Sequence, residues 1–253
     1  MNSKTQANFF VYGLVGKNIS YSFSQNYFTN KFSKLGYENR QYKNFDISSI
    51  EEFNSIVKGQ TQLAGLNVTI PYKEAVIPFL NKLDPRAREI GAVNTIKILP
   101  DGELMGYNTD IYGFEKSIQT LLTDHHRKAL ILGTGGASKA VAYVLNKLNI
   151  EFLFVSRSPE HNTTIQYREL TRELMEEFQI VINCTPLGTY PKTEEFPPIP
   201  YEFITNRHLC YDLIYNPAET IFLKKARLKG ATTKNGLEML ELQAEKAWEI
   251  WND

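Results

Sequence analysis

Residues 129–155 read ALILGTGGASKAVAYVLNKLNIEFLFV. Ala129–Leu132 is a short continuous apolar run, the pattern of a strand buried on both faces. The glycine-rich stretch Gly133-Thr134-Gly135-Gly136-Ala137-Ser138 follows it, and then an amphipathic helix runs through Leu148. Phe152–Val155 is a second buried strand. Strand, turn, helix and strand form a βαβ unit, whose two strands lie parallel. Ile180–Asn183 and Leu209–Ile214 add a third and fourth apolar run, which predicts a doubly wound α/β sheet.

The turn itself carries chemistry. Gly133 permits a tight bend, and Gly135 lets a pyrophosphate approach the backbone. The helix that follows offers unbonded N–H groups and a partial positive charge. Ser138 stands where the full dinucleotide fingerprint has Gly or Ala. A tight turn with no ligand would use the same glycines, but the flanking strand and helix favour a dinucleotide site. The end of the second strand selects the nucleotide. It carries Ser156-Arg157-Ser158 in place of the Asp or Glu that takes ribose hydroxyls. An acid would repel a 2′-phosphate, whereas Arg157 can pair with it, so NADP is the expected cofactor.

The first half of the chain reads differently. In GLNVTIPYK, residues 65–73, Leu66, Val68 and Ile70 alternate with Asn67 and Thr69. That is the period of a half-buried strand whose other face is polar but uncharged. Pro71 ends the strand because it has no N–H for a ladder, and Lys73 follows. A face of Asn and Thr that stops at a Lys suits a small polyhydroxylated molecule. Phe9–Val15, Gln41–Phe45 and Leu63–Ile70 are predicted strands. Ser22–Leu35 and Ile50–Val57 are predicted helices. Asp84-Pro85 opens a short helix that Gly91 closes. Ala92–Leu99 and Glu103–Tyr107 flank Pro100-Asp101-Gly102, a hairpin signal. Gly106-Tyr107-Asn108-Thr109-Asp110 lies where the pattern changes. Taken alone, Asp110 reads as an ordinary helix N-cap. Beside Lys73 it becomes a candidate proton carrier for a carbonyl/alcohol oxidoreductase.

Bulk properties exclude several classes. The chain has 253 residues, 42% of them hydrophobic, with 28 basic and 28 acidic side chains. A nucleic-acid binder would need a basic excess. His125-His126-Arg127-Lys128 reads as a solvated turn before a strand. The four histidines show no ligand spacing for a metal. Cys184 and Cys210 are expected to be buried thiols in a reducing compartment. The opening residues MNSKTQANFF lack a signal-peptide core, and no apolar run approaches the ~18 residues of a membrane helix. The expected setting is cytoplasmic, as a monomer or homodimer with no nucleic-acid or membrane partner.

Taken together the motifs resemble those of shikimate dehydrogenases. The matching blocks are YGLVG with SYSFS, then GLNVTIPYK, GAVNT, GYNTD, GTGGAS, SRS, INCTPLGT, DLIYNPAET and NGLEMLELQAEKAW, in the family's order and spacing. The resemblance implies an N-terminal α/β substrate domain over 1–107 and a doubly wound Rossmann NADP-binding domain over 108–235. It also implies a C-terminal helix over 236–253 that returns to the first domain, where the stripe Leu237, Leu240, Ala244, Trp248 and Trp251 would pack. By position, Lys73 and Asp110 match the catalytic pair. Ser22 and Ser24 match the serines that hold the shikimate carboxylate. Asn67, Thr69, Asn94, Tyr215 and Gln243 match other substrate contacts. Gly133, Thr134, Gly135, Gly136, Ala137 and Ser138 match the phosphate turn, and Ser156, Arg157 and Ser158 the 2′-phosphate loop. Thr185, Leu213 and Gly236 lie where the family approaches the cofactor.

The implied reaction is reversible reduction of 3-dehydroshikimate to shikimate by NADPH in aromatic amino acid (chorismate) biosynthesis. A broader quinate/shikimate dehydrogenase, with NAD use, and a non-catalytic NADP or ligand sensor are the alternatives. This chain departs from the family at Asn18, Tyr21 and Gln25, where Pro, His and Pro are usual. It also has Ser156 for Asn and His161 for a second basic residue. Altered carboxylate binding and weaker cofactor discrimination are the expected consequences.

Overall fold

The computed structural model describes residues 9–20, 22–158 and 164–253. The described chain divides into two compact units. One runs to Thr109 and includes Ala244–Asp253; the other is Asp110–Gln243.

The first unit contains β1 (Phe10–Gly16), α1 (Phe23–Lys34), β2 (Arg40–Asp46), α2 (Phe53–Gly59) and β3 (Leu63–Val68). It continues with α3 (Tyr72–Ala75), β4 (Lys82–Leu83), α4 (Pro85–Ile90), β5 (Thr95–Ile98) and β6 (Leu104–Tyr107). Its sheet has the order β2-β1-β3-β5-β6-β4. The β1–β2 and β1–β3 pairs are parallel, whereas β5 runs antiparallel to β3 and β6. The hairpin expected at Pro100-Asp101-Gly102 closes β5 on β6, with Leu99 N–H donating to Glu103 O at 2.8 Å. Helix α4 forms as its sequence directs. The Asp84 carboxylate accepts from Arg86 N–H, Pro85 opens the helix, and Gly91 ends it in the left-handed region.

The predicted strands 63–70 and 92–99 are shorter in the structure, at Leu63–Val68 and Thr95–Ile98. The backbone ladder nevertheless continues past each. Thr69 N–H donates to Val15 O and Val68 N–H to Asn94 O, both at 2.9 Å. The two faces of β3 are used as the alternation predicts. Leu66 and Val68 join Val15, Phe53, Val93 and Ile96 in one core. The opposite face of the sheet holds Tyr12, Leu14, Phe28, Phe32 and Tyr42 against Ala244, Ala247 and Trp251.

The second unit contains α5 (Asp110–Gln119), β7 (Lys128–Leu132), α6 (Gly136–Lys147), β8 (Glu151–Ser156) and β9 (Thr164–Gln166). It continues with α7 (Arg172–Glu177), β10 (Ile180–Asn183), β11 (Leu209–Asp212), α8 (Ile221–Leu228) and β12 (Thr232–Lys234). Helix α9 (Leu237–Asn252) begins in this unit, and its residues from Ala244 belong to the first. The sheet order is β12-β11-β10-β7-β8-β9, with every pair parallel. This is the doubly wound arrangement, in which strand order reverses between β7 and β10.

Strands β9 and β12, three residues each, carry no sequence signal of their own. Strand β8 is less buried than its apolar run suggests. Phe152, Leu153 and Phe154 are half-buried, on a strand whose outer neighbour is the short β9. The His125–Lys128 turn is also more structured than a solvated loop. His126 is buried, its Nδ1 accepting from Thr123 N–H at 3.1 Å. Among the described residues, no helix is long and apolar enough to cross a membrane.

Trp251 explains one glycine. Its indole N–H donates to Ile96 O at 3.0 Å, and its ring lies over Gly65. A Cβ at position 65 would come within 2.4 Å of ring atoms Cδ1 and Nε1, and the ring is fixed by its own hydrogen bond and by Tyr12 and Phe28. Gly65→Ala is therefore expected to destabilise the fold by about 1–3 kcal/mol, as overpacking does. Urea unfolding with an unchanged m-value is the measurement, and combining it with Trp251→Leu should recover part of the loss.

Candidate active site

In the first unit the candidate residues cluster at the ends of β1, β3 and β5. Ser22 caps α1, its Oγ accepting from Ser24 N–H at 3.2 Å. That bond uses an oxygen lone pair and leaves the hydroxyl proton for another acceptor. Ser24 lies one residue inside the helix and is buried. Asn67 is 5% exposed, and its amide is bonded at both ends, with one Oδ1 lone pair left. Its Oδ1 accepts from the Tyr42 phenol at 2.8 Å, and its Nδ2 donates to Asn94 O and Thr95 Oγ1 at 3.3 and 3.2 Å. Asn94 Oδ1 accepts from Thr109 N–H at 2.7 Å and lies 3.1 Å from Thr109 Oγ1. The structure thus joins Asn67 and Asn94 in one buried network that also includes Tyr42, Thr95 and Thr109. Thr69 lies beyond it, half-buried at the lip of the strand.

Lys73 sits on α3, a single turn. Two neighbours pin that turn. The Tyr72 phenol donates to Ile47 O at 2.9 Å, and Lys73 O accepts from Val93 N–H at 2.7 Å. The backbone that carries the amine is therefore held from both sides. Asp110 opens α5 in the second unit as its first helical residue and is 5% exposed.

Gln25 replaces a proline, and its side chain has a definite role. Gln25 Oε1 accepts from Asn44 Nδ2 at 3.0 Å, and the same Nδ2 reaches Ile19 O. Asn18 has φ +56°. Asn tolerates that conformation, but the proline ring excludes it. The loop after β1 must therefore run differently here from one that carries Pro. Tyr21 and His161, two other departures, lie outside the described residues.

In the second unit the glycine turn stands at the point of strand reversal. Gly133 has φ +102° and packs against the Thr185 methyl. Its N–H donates to Val155 O at 2.9 Å, which ties the turn to β8. Gly135 is different, because a Cβ there would meet nothing within 4 Å. The backbone faces open space at the N-terminus of α6, whose first N–H groups have no carbonyl one turn earlier. That is the arrangement a phosphate group requires. Ser138 contributes little to it. Its hydroxyl and its N–H both donate to Gly135 O, at 2.6 and 2.9 Å, so the side chain is buried in the turn. Ser156 accepts from Ser158 N–H at 3.3 Å, and Arg157 between them is exposed. The Tyr167 phenol feels this guanidinium. Burial pushes it up to about 12, with Arg157 opposing the shift.

The loops that bear Thr185 and Leu213 share one support that sequence reasoning missed. Asp212, fully buried at the end of β11, accepts from Asn183 Nδ2 at 3.1 Å and Ile214 N–H at 3.0 Å through Oδ1. Its Oδ2 accepts from Thr220 Oγ1 at 2.6 Å. Asn183 Oδ1 in turn accepts from Thr185 N–H and Thr185 Oγ1 at 3.0 and 2.6 Å. Gly236 lies against Leu213 O, where no side chain would fit, and its N–H donates to Ile214 O. Gln243, on α9, donates to Leu240 O at 2.9 Å and is buried, and Tyr215 is half-buried. The missed residues share a signal. Asn183 and Asp212 are polar residues that close an apolar strand, where a buried partner is obligatory. Cys184 and Cys210 are free, Cys184 only half-buried, and burial pushes both thiols up.

A Methanococcus maripaludis (strain C6) protein named shikimate dehydrogenase (NADP(+)) is 38% identical, spanning 99% of this chain and 93% of its own. The chain belongs to the shikimate dehydrogenase family. A family model described as shikimate dehydrogenase substrate binding domain matches residues 14–96, the segment that carries β1, β3 and Lys73. A crystal structure of shikimate dehydrogenase from Aquifex aeolicus has a TM-score of 0.87 at 34% identity, covering 97% of this chain and 93% of that one. The Thermus thermophilus shikimate 5-dehydrogenase, solved with NADP(H) and shikimate, has a TM-score of 0.84 at 29% identity. That match covers 96% of this chain and 93% of the Thermus chain. The shikimate dehydrogenase fold thus accounts for both units of this protein.

Asp212 gives the second unit a pH signature. Burial raises its carboxyl from the ordinary range near 4 to about 6, against the three hydrogen bonds that favour the anion. The folded state therefore holds this proton more tightly than the unfolded chain. Its contribution to stability is fully present below about pH 4 and is lost as pH rises through about 6. Asp212→Asn should remove that dependence. Between pH 4 and pH 7, the stability difference between wild type and variant should move in the variant's favour by about 2–3 kcal/mol, measured by denaturant titration at each pH.

Proposed function

We propose that this protein is an NADP-dependent shikimate dehydrogenase that interconverts 3-dehydroshikimate and shikimate, in the route to aromatic amino acids. Oxidation of shikimate by NADP⁺ yields 3-dehydroshikimate, NADPH and a proton. The observation that carries the reading is the open glycine turn at the strand reversal, in a chain of this family. The free thiols fit a cytoplasmic setting.

The nucleotide fits the second unit as built. Gly135, Gly136 and Ala137 would take the pyrophosphate on backbone N–H groups, and Gly133 and Thr134 would shape the approach. Ser138 supports that turn from behind. Arg157, exposed between Ser156 and Ser158, would pair with the 2′-phosphate. Thr185, Leu213 and Gly236 would border the rest of the cofactor. When bound, NADPH supplies the hydride.

The protein's own part is orientation and the proton. Ser22 and Ser24 take the substrate carboxylate. Asn67, Thr69, Asn94 and Gln243 meet its polar groups, and Tyr215 lies against it. Lys73 donates a proton to the ketone oxygen as it becomes an alkoxide, with Asp110 as the second member of the proton-handling pair. The anchored turn of α3 suits this role, since a general acid acts only when held at hydrogen-bonding distance.

The test is to mix the purified protein with shikimate or quinate and with NADP or NAD, and to follow absorbance of the reduced cofactor. Shikimate with NADP is expected to give the fastest reduction, with an end point that lies further toward NADPH at alkaline pH because the reaction releases a proton. No reduction in any pairing would favour a ligand sensor, and quinate turnover a broader enzyme. Lys73→Ala should lower kcat by roughly 10²–10⁴-fold with only a modest change in shikimate binding. Arg157→Ala should weaken NADP by roughly ten- to a hundredfold and leave NAD nearly unaffected. Equal loss for both nucleotides in a titration would remove Arg157 from the site.

A further inference from the structure

Tyr42 lies outside every motif discussed above, on β2, with 2% of its surface exposed. Its ring stacks on Phe28 at 4.7 Å and 10°. Its phenol lies 2.8 Å from Asn67 Oδ1.

The direction of each hydrogen bond follows from one fixed group. Asn94 O is a backbone carbonyl and only accepts, so the Asn67 side chain must turn its Nδ2 toward it. Asn67 Oδ1 then faces Tyr42 and accepts. A phenol has one proton, and here Asn67 takes it. Tyr42 is thus the donor to the amide oxygen of a residue assigned to the substrate.

The geometry points to Tyr42 as a positioning residue for the substrate. It holds the oxygen end of the Asn67 amide, while Asn94 O and Thr95 Oγ1 hold the nitrogen end. This inference rests on the shikimate reading above. Without the phenol a buried amide oxygen has lost its partner, and only the nitrogen end of the side chain is held. Loss of the phenol oxygen should therefore weaken substrate binding.

Tyr42→Phe removes the oxygen and keeps the stack on Phe28. The expected result is a rise of about five- to tenfold in KM for shikimate, with kcat within about twofold and KM for NADP unchanged. Phe28→Leu loosens the same packing without touching the phenol. It should lower the thermal midpoint and leave KM for shikimate where it was. Asn67→Ala combined with Tyr42→Phe should raise KM by less than the product of the two single effects, because the two residues share a hydrogen bond. An unchanged KM in Tyr42→Phe, an equal rise in Phe28→Leu, or independent effects in the double variant would each overturn the proposal. So would a Tyr42→Phe loss confined to kcat. A wild-type protein that turns over no shikimate would instead overturn the substrate reading, and this inference with it.

Discussion

A polar side chain at the end of a buried strand must find its partner inside the protein. Both units are organised around that obligation. In the first, Asn67 and Asn94 are 5% and 3% exposed and bond to each other's strands, to Thr95 and to Thr109. In the second, Asp212 collects Asn183, Thr220 and the N–H of Ile214. The second network sits at the carboxyl ends of β10 and β11, where open α/β sheets place their ligands. The first joins the carboxyl end of β3 to the amino end of the antiparallel β5. The polar groups proposed to shape the site are thus also the ones the fold is obliged to satisfy. A substitution there costs stability and geometry together, since a group left unpaired loses its hydration without replacement.

The second unit was the more legible from sequence. Its β7–α6–β8 core follows from one apolar run, one glycine turn and one amphipathic helix, and the parallel order comes with it. Strands β9 and β12 were not legible, because three residues carry too little periodicity. In the first unit, the alternation in residues 65–70 placed Leu66 and Val68 in the core and Asn67 on the opposite face. Its length was overestimated, since the ladder bonds at Thr69 and Asn94 continue beyond the regular strand geometry. Tyr42 and Asp212 escaped notice for the same physical reason. Their function depends on what lies across the sheet from them, and a linear pattern does not report cross-strand neighbours.

Where the chain departs from its family, the consequences are local. Gln25 is absorbed by a hydrogen bond to Asn44, and Asn18 takes a backbone conformation closed to proline. Both changes lie around the loop between β1 and α1, which delivers Ser22 and Ser24. Ser22 nevertheless keeps its cap on α1, accepting from Ser24 N–H. The serines are therefore held in register by the helix cap itself.

The two sheet orders bear on solubility. Each open sheet has two outer strands, and an outer strand is a template for unwanted pairing with another chain. Three of the four are too short to serve. Strand β4 has two residues, and β9 and β12 have three each. The fourth, β2, is seven residues long, but it carries Arg40, Lys43 and Asp46. A row of mixed charge on the only long edge among the described strands discourages another strand from adding to it. The same chain that leaves its strand ends open to a ligand thus gives aggregation little purchase along its sides.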